Sequence, residues 1–185
     1  MSRATSASEQ RARDFASQVA LVRLFALLGV CVAGYALYIE YTHQMNPGVE
    51  LQFFCDKLFS WASCSKAITG PYGKVLSLWG IVAHGSTFDI PNSLIGATYY
   101  VLALVLPWQS SGALADFFLV AGVGSLAFSC YLAYVLKFVL REFCIICVSS
   151  YVINMLIFVF AARARNTMLR ASDHEKRVAE SQKRK

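Results

Sequence analysis

Four apolar stretches, at about 19–40, 92–108, 116–136 and 143–162, alternate with more polar segments along the chain. The last two each contain a run of 20 residues without a charge. A helix of about 20 residues crosses the roughly 30 Å hydrocarbon core of a bilayer. The first is uncharged only between Leu24 and Ile39, and the second has 17 residues, so both need flanking residues or slight bilayer thinning. The pattern therefore predicts an all-α integral membrane protein, a bundle of four transmembrane helices.

The composition supports a membrane environment and excludes two other classes of protein. Of the 185 residues, 57% are hydrophobic and 15% are charged, whereas a soluble surface carries about 25–35% charged side chains. Intrinsic disorder is excluded, because 14% of the residues are aromatic. Most Lys and Arg residues lie in 1–23 and 163–185. Such tails are typical of contact with anionic membrane lipid and not of a folded face that binds nucleic acid.

The basic tails also predict the orientation of the chain. Segments 1–18 and 163–185 flank a membrane domain at 19–162, and basic flanks remain on the cytoplasmic side. We therefore expect both termini in the cytoplasm, and the loop 41–91 and the link 137–142 on the opposite side. The first apolar run is longer than the hydrophobic region of a signal peptide, which has about 7–15 residues. We therefore expect it to remain as a membrane anchor. We interpret the loop as a half-helix and an interfacial segment that cap the bundle; a small water-exposed subdomain is the alternative.

Four of the six cysteines are predicted to meet on the non-cytoplasmic side, where disulfides persist. Cys55 and Cys64 lie in the loop, and Cys144 and Cys147 form a Cys-x-x-Cys at the start of the fourth span. Positions i and i+3 share one helix face. The helix dipole there favours the thiolate, although apolar surroundings would oppose it. Four thiols with interchangeable partners are suited to thiol–disulfide exchange; two static disulfides are the alternative.

The sequence leaves the pairing of the two loop cysteines open. In one straight helix Cys55 and Cys64 would lie on opposite sides, whereas a disulfide needs Cα atoms within about 4.4–6.8 Å. They can therefore bond only if the segment bends, and either could pair with the Cys-x-x-Cys instead. The remaining cysteines, Cys31 and Cys130, are expected to be small buried core residues.

Polar residues near the dithiol suggest an electron acceptor. Tyr151 follows Cys147 by four residues and shares its helix face. Asn92 opens the second span on the same side of the membrane. A phenol and an amide can donate hydrogen bonds to two carbonyl oxygens, so we expect a pocket for a lipid-soluble quinone. Asn92 as a helix N-cap and Tyr151 as a core residue are the alternatives.

The order of these residues resembles the vitamin K epoxide reductase family over about residues 20–160. The matching motifs are Cys55-Asp56, Cys64-Ser65, Asn92-Ser93-Leu94-Ile95-Gly96, Tyr131-Leu132-Ala133 and Glu142-Phe143-Cys144-Ile145-Ile146-Cys147, followed by Tyr151. The resemblance implies a four-helix bundle of the endoplasmic reticulum membrane that reduces vitamin K epoxide or vitamin K quinone. It also implies that warfarin-type anticoagulants bind in the same pocket.

The resemblance further implies a role for each site residue. Cys147 attacks the substrate and Cys144 resolves it, while Cys64 passes electrons onward from Cys55, which receives them from a lumenal thioredoxin-like oxidoreductase. Asn92 and Tyr151 hydrogen-bond the two quinone oxygens. The pocket walls are Ile95, Tyr99, Tyr100, Leu132 and Leu136. No metal and no tightly bound cofactor are expected, because the quinone is a substrate and the reductant is a dithiol.

Three departures from the family pattern bear on substrate preference and anticoagulant affinity. The loop cysteines are spaced Cys-x8-Cys, one residue longer than usual, Ile68 replaces a Phe, and Tyr72 replaces a capping Trp. Two other functions are considered. A quinone-linked membrane disulfide oxidase would run the same chain in reverse. A tetraspanning structural protein of the claudin kind is less favoured, since residues 41–54 contain no Trp.

Overall fold

Helices account for all the regular structure in the residues that the computed structural model describes, which are 2–46, 53–58, 63–83, 86, 88–106, 108 and 112–184. The long elements are α1 (Ser2–Met45), α5 (Asn92–Val105), α6 (Gly112–Tyr134) and α7 (Ile145–Lys183). Between α1 and α5 lie the short helices α2 (Phe54–Leu58), α3 (Cys64–Thr69) and α4 (Val75–Leu78), with a 3-10 turn at Pro71–Gly73. The predicted all-α class is confirmed. Parts of the predicted loop 41–91, at 47–52, 59–62, 84–85 and 87, lie outside the described residues.

Small residues on α1 allow the bundle to pack closely. Helix α1 packs against α5 and α7, and α7 also packs against α6. On the face of α1 that meets α5, a Cβ at Gly29 would lie 2.6 Å from the ring of Tyr100. Ala26 and Ala33, about one turn to either side, are buried on the same face. Small side chains let helix backbones approach within a membrane protein, and here they leave room for the fully buried Tyr100.

Within the apolar stretches of the chain, the outer surfaces of the long helices are apolar. Large hydrophobic side chains on α1, α5, α6 and α7 are exposed, among them Leu24, Leu27, Val101, Val105, Phe117, Val120, Val152 and Met155. Contiguous exposed apolar surface of this kind is typical of lipid contact. Cys31 and Cys130 are also exposed on these surfaces. The expectation that they are buried core residues is therefore wrong, because lipid solvates a small apolar side chain as well as a protein core does.

Among the described residues, three helices are long and apolar enough to cross a membrane, at 8–45, 112–140 and 145–183. Helix α5 is also apolar but has 14 residues, about 21 Å at 1.5 Å per residue. This is shorter than the roughly 30 Å hydrocarbon core. The predicted end of this span includes Pro107, which lies outside the described residues. Four spans and their orientation remain predictions.

The helices extend further than the hydropathy pattern predicted. Helix α1 begins at Ser2 and α7 continues to Lys183, so the predicted tails 1–18 and 163–185 largely prolong these helices. No Gly or Pro interrupts either tail. Helix α6 continues as a π-helix at Val135–Leu140, which ends at Arg141 with a φ of 53°. The connection to α7 is therefore shorter than the predicted link 137–142. Each π-helical turn holds an extra residue and such segments often mark functional sites.

An ion pair joins α6 and α7 far from the cysteines. The guanidinium of Arg165 donates two hydrogen bonds to the carboxylate of Asp116, at 2.6 and 2.8 Å. Arg165 follows Cys147 by about 27 Å along α7. Helix α7 is thus held by the cysteine-bearing loop at its start and by an ion pair near its middle.

Candidate active site

The four cysteines of the predicted redox chain form a continuous series of thiol contacts. The thiol of Cys64 interacts with those of Cys55 and Cys144, and the thiol of Cys144 interacts with that of Cys147. Cys64 and Cys144 are fully buried, and Cys55 is nearly so. All six cysteines of the chain are free thiols in this structure. The spatial order of the series is therefore Cys55, Cys64, Cys144, Cys147.

Asp56 explains how the two loop cysteines meet. They lie on separate helices, α2 and α3, and their sulfurs are within 4.8 Å of each other, so they are not part of one straight helix. One carboxylate oxygen of Asp56 accepts hydrogen bonds from the backbone N–H groups of Cys64 and Ser65, at 2.7 and 3.4 Å. A carboxylate at the start of a helix satisfies N–H groups that have no partner within the helix. Asp56 thereby holds the start of α3 beside Cys55.

A second set of bonds joins the loop to the start of α7. The backbone N–H of Ser63 donates to the carbonyl of Phe143 at 2.9 Å, which brings the following Cys64 next to Cys144. The ammonium of Lys66 lies 3.7 Å from the carboxylate of Glu142. These contacts connect segments that are far apart in sequence, and the Cys64–Cys144 contact follows from them.

Cys144 caps α7 with its side chain. Its sulfur accepts a hydrogen bond of 3.2 Å from the backbone N–H of Cys147. Cys144 is thus the N-cap residue, and Cys147 lies one turn into the helix. Because Cys144 is buried and Cys147 is half-buried, the two sulfurs of the dithiol face different surroundings: the loop cysteines on one side and a cavity on the other.

The two loop thiols are hard to ionise in the reduced protein. Burial, together with the neighbouring Cys64 thiol, raises the pKa of Cys55 to about 12. Hydrogen bonding with Cys144 and burial raise the pKa of the Cys64 thiol as well. Since the thiolate is the attacking species in thiol–disulfide exchange, these thiols are poorly reactive at neutral pH until a partner removes a proton.

A cavity of about 480 Å³ opens beside Cys147. This volume is within the usual range for small-molecule sites, about 300–1,000 Å³. The predicted residues that line it are Asn92, Ile95, Tyr99, Tyr100, Leu132, Leu136, Cys147 and Tyr151. Ile68 and Tyr72, the two positions that depart from the family pattern, line it too. The structure therefore brings the whole predicted pocket together around one sulfur of the dithiol.

Asn92 has a partner that sequence reasoning did not foresee. Its amide nitrogen donates to the carbonyl of Tyr72 at 2.7 Å, and its oxygen accepts from the N–H of Val75 at 3.2 Å. The N-cap of α5 is Pro91, so the alternative role of Asn92 as an N-cap is wrong. Asn92 anchors the 71–78 segment to α5 and has one amide hydrogen left for a ligand.

Trp79 holds the same segment from the opposite side. Its indole N–H donates to the hydroxyl of Tyr131 at 3.3 Å, and its ring packs edge-on against Phe128 of α6. Trp79, Tyr72 and Leu76 all line the cavity. The segment Pro71–Trp79, which we call the cap, therefore closes the cavity between α5 and α6. The sequence indicated an interfacial segment here but did not single out Trp79.

Several polar groups face the cavity without a strong partner. The hydroxyl of Tyr99 and the side-chain oxygen of Asn154 are buried and have no hydrogen-bond partner among the described residues. Asn154 donates to Ser129 at 3.0 Å. An unpaired buried polar group costs about 1–3 kcal/mol, so a ligand that pairs with it gains binding energy. Together with Tyr151, these groups give an otherwise apolar cavity a few hydrogen-bonding positions.

One group of side chains has the spacing of metal ligands. A sulfur of Cys55, a carboxylate oxygen of Asp56 and the sulfur of Cys64 lie within 4.8 Å of one another. The same Asp56 carboxylate already accepts the two backbone hydrogen bonds at the start of α3. Three donors of this kind could hold a soft divalent cation, whereas the continuity with Cys144 and Cys147 favours thiol–disulfide exchange.

Comparison with known proteins identifies the family. A family model described as the vitamin K epoxide reductase family matches residues 20–162. The chain belongs to the vitamin K epoxide reductase family. It is 30% identical to vitamin K epoxide reductase complex subunit 1 of Rattus norvegicus over 136 residues. This aligned region covers 69% of this chain and 81% of the rat protein. The Mus musculus protein of the same name is 31% identical over 140 residues, covering 73% of this chain and 83% of its own length.

Family membership confirms the resemblance inferred from the cysteine motifs. The chain is a multi-pass membrane oxidoreductase of the vitamin K epoxide reductase type. The matched region 20–162 contains all four cysteines of the series and every residue of the predicted pocket. A tetraspanning structural protein is thereby disfavoured as an alternative.

Proposed function

We propose that this vitamin K epoxide reductase family member reduces vitamin K epoxide, vitamin K quinone or both, using electrons that pass along its four cysteines. The observation that carries the proposal is the unbroken series of thiol contacts that ends at the cavity. Thiol–disulfide exchange requires direct sulfur-to-sulfur approach, and the interaction of each thiol in the series with the next supports such an approach. The cavity at its end has the size and lining of a site for an aromatic ligand.

The different exposure of Cys144 and Cys147 supports an assignment of their roles, and the order of the series supplies those of Cys64 and Cys55. Cys147 lines the cavity and attacks the substrate, and Cys144, which is buried beside it, displaces the substrate to form the Cys144–Cys147 disulfide. Cys64 then attacks Cys144, and Cys55 resolves the mixed disulfide. The loop pair ends oxidised and is reduced again by a thioredoxin-like dithiol protein in the lumen of the endoplasmic reticulum, where we place the loop. No metal or tightly bound cofactor takes part.

The overall reaction balances with dithiols alone. Vitamin K epoxide and two thiols give vitamin K quinone, water and one disulfide. Vitamin K quinone and two thiols give the hydroquinone and one disulfide. In each case two electrons leave sulfur, and the two protons taken up by the product equal the two that the thiols lose.

We propose that substrate oxygens bind at two ends of the cavity. The phenol of Tyr151 donates to one oxygen beside Cys147, and the remaining amide hydrogen of Asn92 donates to the other. Ile95, Tyr99, Tyr100, Leu132 and Leu136 contact the ring system. Warfarin-type anticoagulants, which are also flat and carry oxygen acceptors, compete for the same space. The contacts of Tyr72 and Ile68 with the cavity make these two residues the natural determinants of inhibitor affinity.

Incubation of membranes that carry the protein with each substrate and dithiothreitol tests the proposal. Product that is formed by the wild type and by Cys130→Ala, but not by Cys147→Ala, would support a reductase, and the ratio of products would rank the substrates. The same series of thiols could run in reverse as a quinone-linked disulfide oxidase. Net oxidation of a reduced protein substrate, with no Cys147-dependent product from dithiothreitol, would favour that function instead.

A further inference from the structure

A carboxyl group lies beside the cavity in a position that the cysteine series does not use. Glu40, near the end of α1, has only 7% of its surface exposed and lines the cavity. The hydroxyl of Ser93, in the first turn of α5, donates to one of its oxygens at 3.4 Å. Ser93 also lines the cavity and directly follows Asn92. A buried carboxyl is costly unless it is paired or neutral, so its place at this wall calls for a function.

Glu40 also lines a second, polar pocket. This pocket, of about 260 Å³, is bordered by His43, Gln44, Thr69, Lys74 and Ser77 among others. Two of the described residues line both spaces, Glu40 and Ile68. Glu40 is therefore the one described ionisable side chain that reaches both the substrate cavity and the polar pocket.

The charged groups around Glu40 come from three elements. Lys74 of the cap and Asp89, which precedes α5, interact electrostatically with it. The ammonium of Lys74 lies 4.0 Å from the carboxylate of Asp89. His43, one turn further along α1, borders the same polar pocket. Glu40 thus lies where a polar, charged pocket adjoins a mostly apolar cavity.

The proposed reaction needs a proton donor at this wall. Each substrate oxygen that receives electrons must also receive a proton, and the cavity walls are mostly apolar. A positioned carboxylic acid speeds such proton transfer by about 10²–10⁴-fold. The oxygen that binds at Asn92 would lie next to Ser93 and Glu40, at the end of the cavity bordered by the polar pocket.

We propose that Glu40, acting with Ser93, transfers protons from the polar pocket to the substrate oxygen held at the Asn92 end of the cavity. This inference rests on the proposed reductase function. In each transfer the Glu40 carboxyl gives its proton to the oxygen that receives electrons from the dithiol, and the Ser93 hydroxyl can relay it. The carboxylate is reprotonated from the polar pocket. Of the two thiol protons, one goes to the substrate and the other leaves to solvent in exchange for the proton that Glu40 takes up from the polar pocket, so the overall balance is unchanged.

The variant Glu40→Gln separates proton transfer from a structural role. The amide has the same size as the carboxyl and still accepts a hydrogen bond from Ser93, but it has no acidic proton to donate. We expect turnover with dithiothreitol to fall at least about ten-fold, with an unchanged thermal unfolding temperature and unchanged warfarin affinity. Glu180→Gln, on the exposed end of α7, is the matched control and should behave as the wild type.

The pH profile gives the decisive readout. Glu40 donates only when protonated, so its contribution falls as the pH rises through its titration. The ratio of wild-type to Glu40→Gln turnover cancels the thiol titrations that both proteins share. We expect this ratio to be large at low pH and to approach one at high pH. A ratio near one at every pH, a ratio that does not vary with pH, or a Glu40→Gln protein with reduced thermal stability would overturn the proposal.

Failure of this inference and failure of the proposed function give different results. If the wild type forms no Cys147-dependent product, the reductase function fails and Glu40 has no reaction to serve. If the wild type is active and Glu40→Gln is equally active, only the proton-transfer role fails. As a second measurement, acetate added to Glu40→Ala should restore part of its turnover through the polar pocket but should not affect Glu40→Gln.

Discussion

The cap end of the bundle and the outer faces of its long helices hold the same residue type in opposite settings. At the cap end, Cys55, Cys64 and Cys144 are buried in contact with one another, and the series continues to Cys147 at the cavity. On the outer faces, Cys31 of α1 and Cys130 of α6 are exposed among apolar side chains.

The difference shows that the reactivity of a cysteine in this protein depends on its neighbours. A thiol exchanges with another sulfur only when the two can touch, and contacts between the loop and the start of α7 provide that approach at the cap end. Cys31 and Cys130 lie on surfaces suited to lipid contact, where nothing comparable surrounds them.

Cys147→Ala should abolish turnover with every reductant. Cys147 is the one thiol of the series that lines the cavity, so its loss removes the group that attacks the substrate. The measurement is product formation from vitamin K epoxide and from vitamin K quinone, in membranes with matched amounts of folded protein. Appreciable product from the variant would show that another group performs the attack.

Cys55→Ala should abolish turnover with a thioredoxin-like protein donor and spare turnover with dithiothreitol. Cys55 is the first thiol of the series, while a small membrane-permeant dithiol can reach the cavity and reduce Cys144 and Cys147 directly. The two reductants are compared on the same membrane preparation. Equal loss with both would contradict a relay of electrons through the loop.

Alkylation of Cys55 in the fully reduced protein should be very slow near neutral pH. Burial raises its pKa to about 12, compared with the ordinary value near 9. At pH 8 its thiolate population is therefore about a thousand-fold smaller than that of an unperturbed thiol. The rate is measured by mass spectrometry against pH, with the urea-unfolded protein as the control. If the alkylation rate reached half its maximum at the same pH in the folded and the unfolded protein, the raised pKa of Cys55 would be contradicted.

Tyr151→Phe should weaken recognition by about 10-fold to 100-fold. The change leaves a buried acceptor on the ligand unpaired, which costs about 1–3 kcal/mol. The KM for vitamin K quinone and the affinity for warfarin are measured. Tyr134→Phe, at an exposed position on α6, is the control, and equal behaviour of the two variants would rule out the Tyr151 contact.

Cys31→Ala and Cys130→Ala should change turnover by less than about two-fold. Both side chains point away from the packed interior, and surface substitutions usually change stability by within about 0.5 kcal/mol. The double variant is assayed with a protein donor and with dithiothreitol. A large loss with either reductant would show that an outer-face cysteine takes part in electron transfer.

Features that depend on local spacing can be predicted from the amino-acid sequence alone. Uncharged runs of helix length predicted the long apolar helices, and the spacing of Cys147 and Tyr151 placed one sulfur and a phenol on the same face of α7, where both line the cavity. These relations hold over a few turns of helix, where geometry is fixed by 3.6 residues per turn. The order of the motifs was also enough to identify the family.

Contacts between groups that are distant in the sequence depend on the tertiary structure. The sequence left open whether Cys55 or Cys64 approaches the dithiol; the bond from Ser63 to Phe143 and the two bonds to Asp56 bring Cys64 there. The contact of Asn92 with the cap and the position of Glu40 between two pockets likewise depend on the tertiary structure. Hydropathy also failed to distinguish burial from lipid contact for Cys31 and Cys130, because both environments favour the same apolar side chains. Contacts between remote segments depend on packing, which no local pattern encodes.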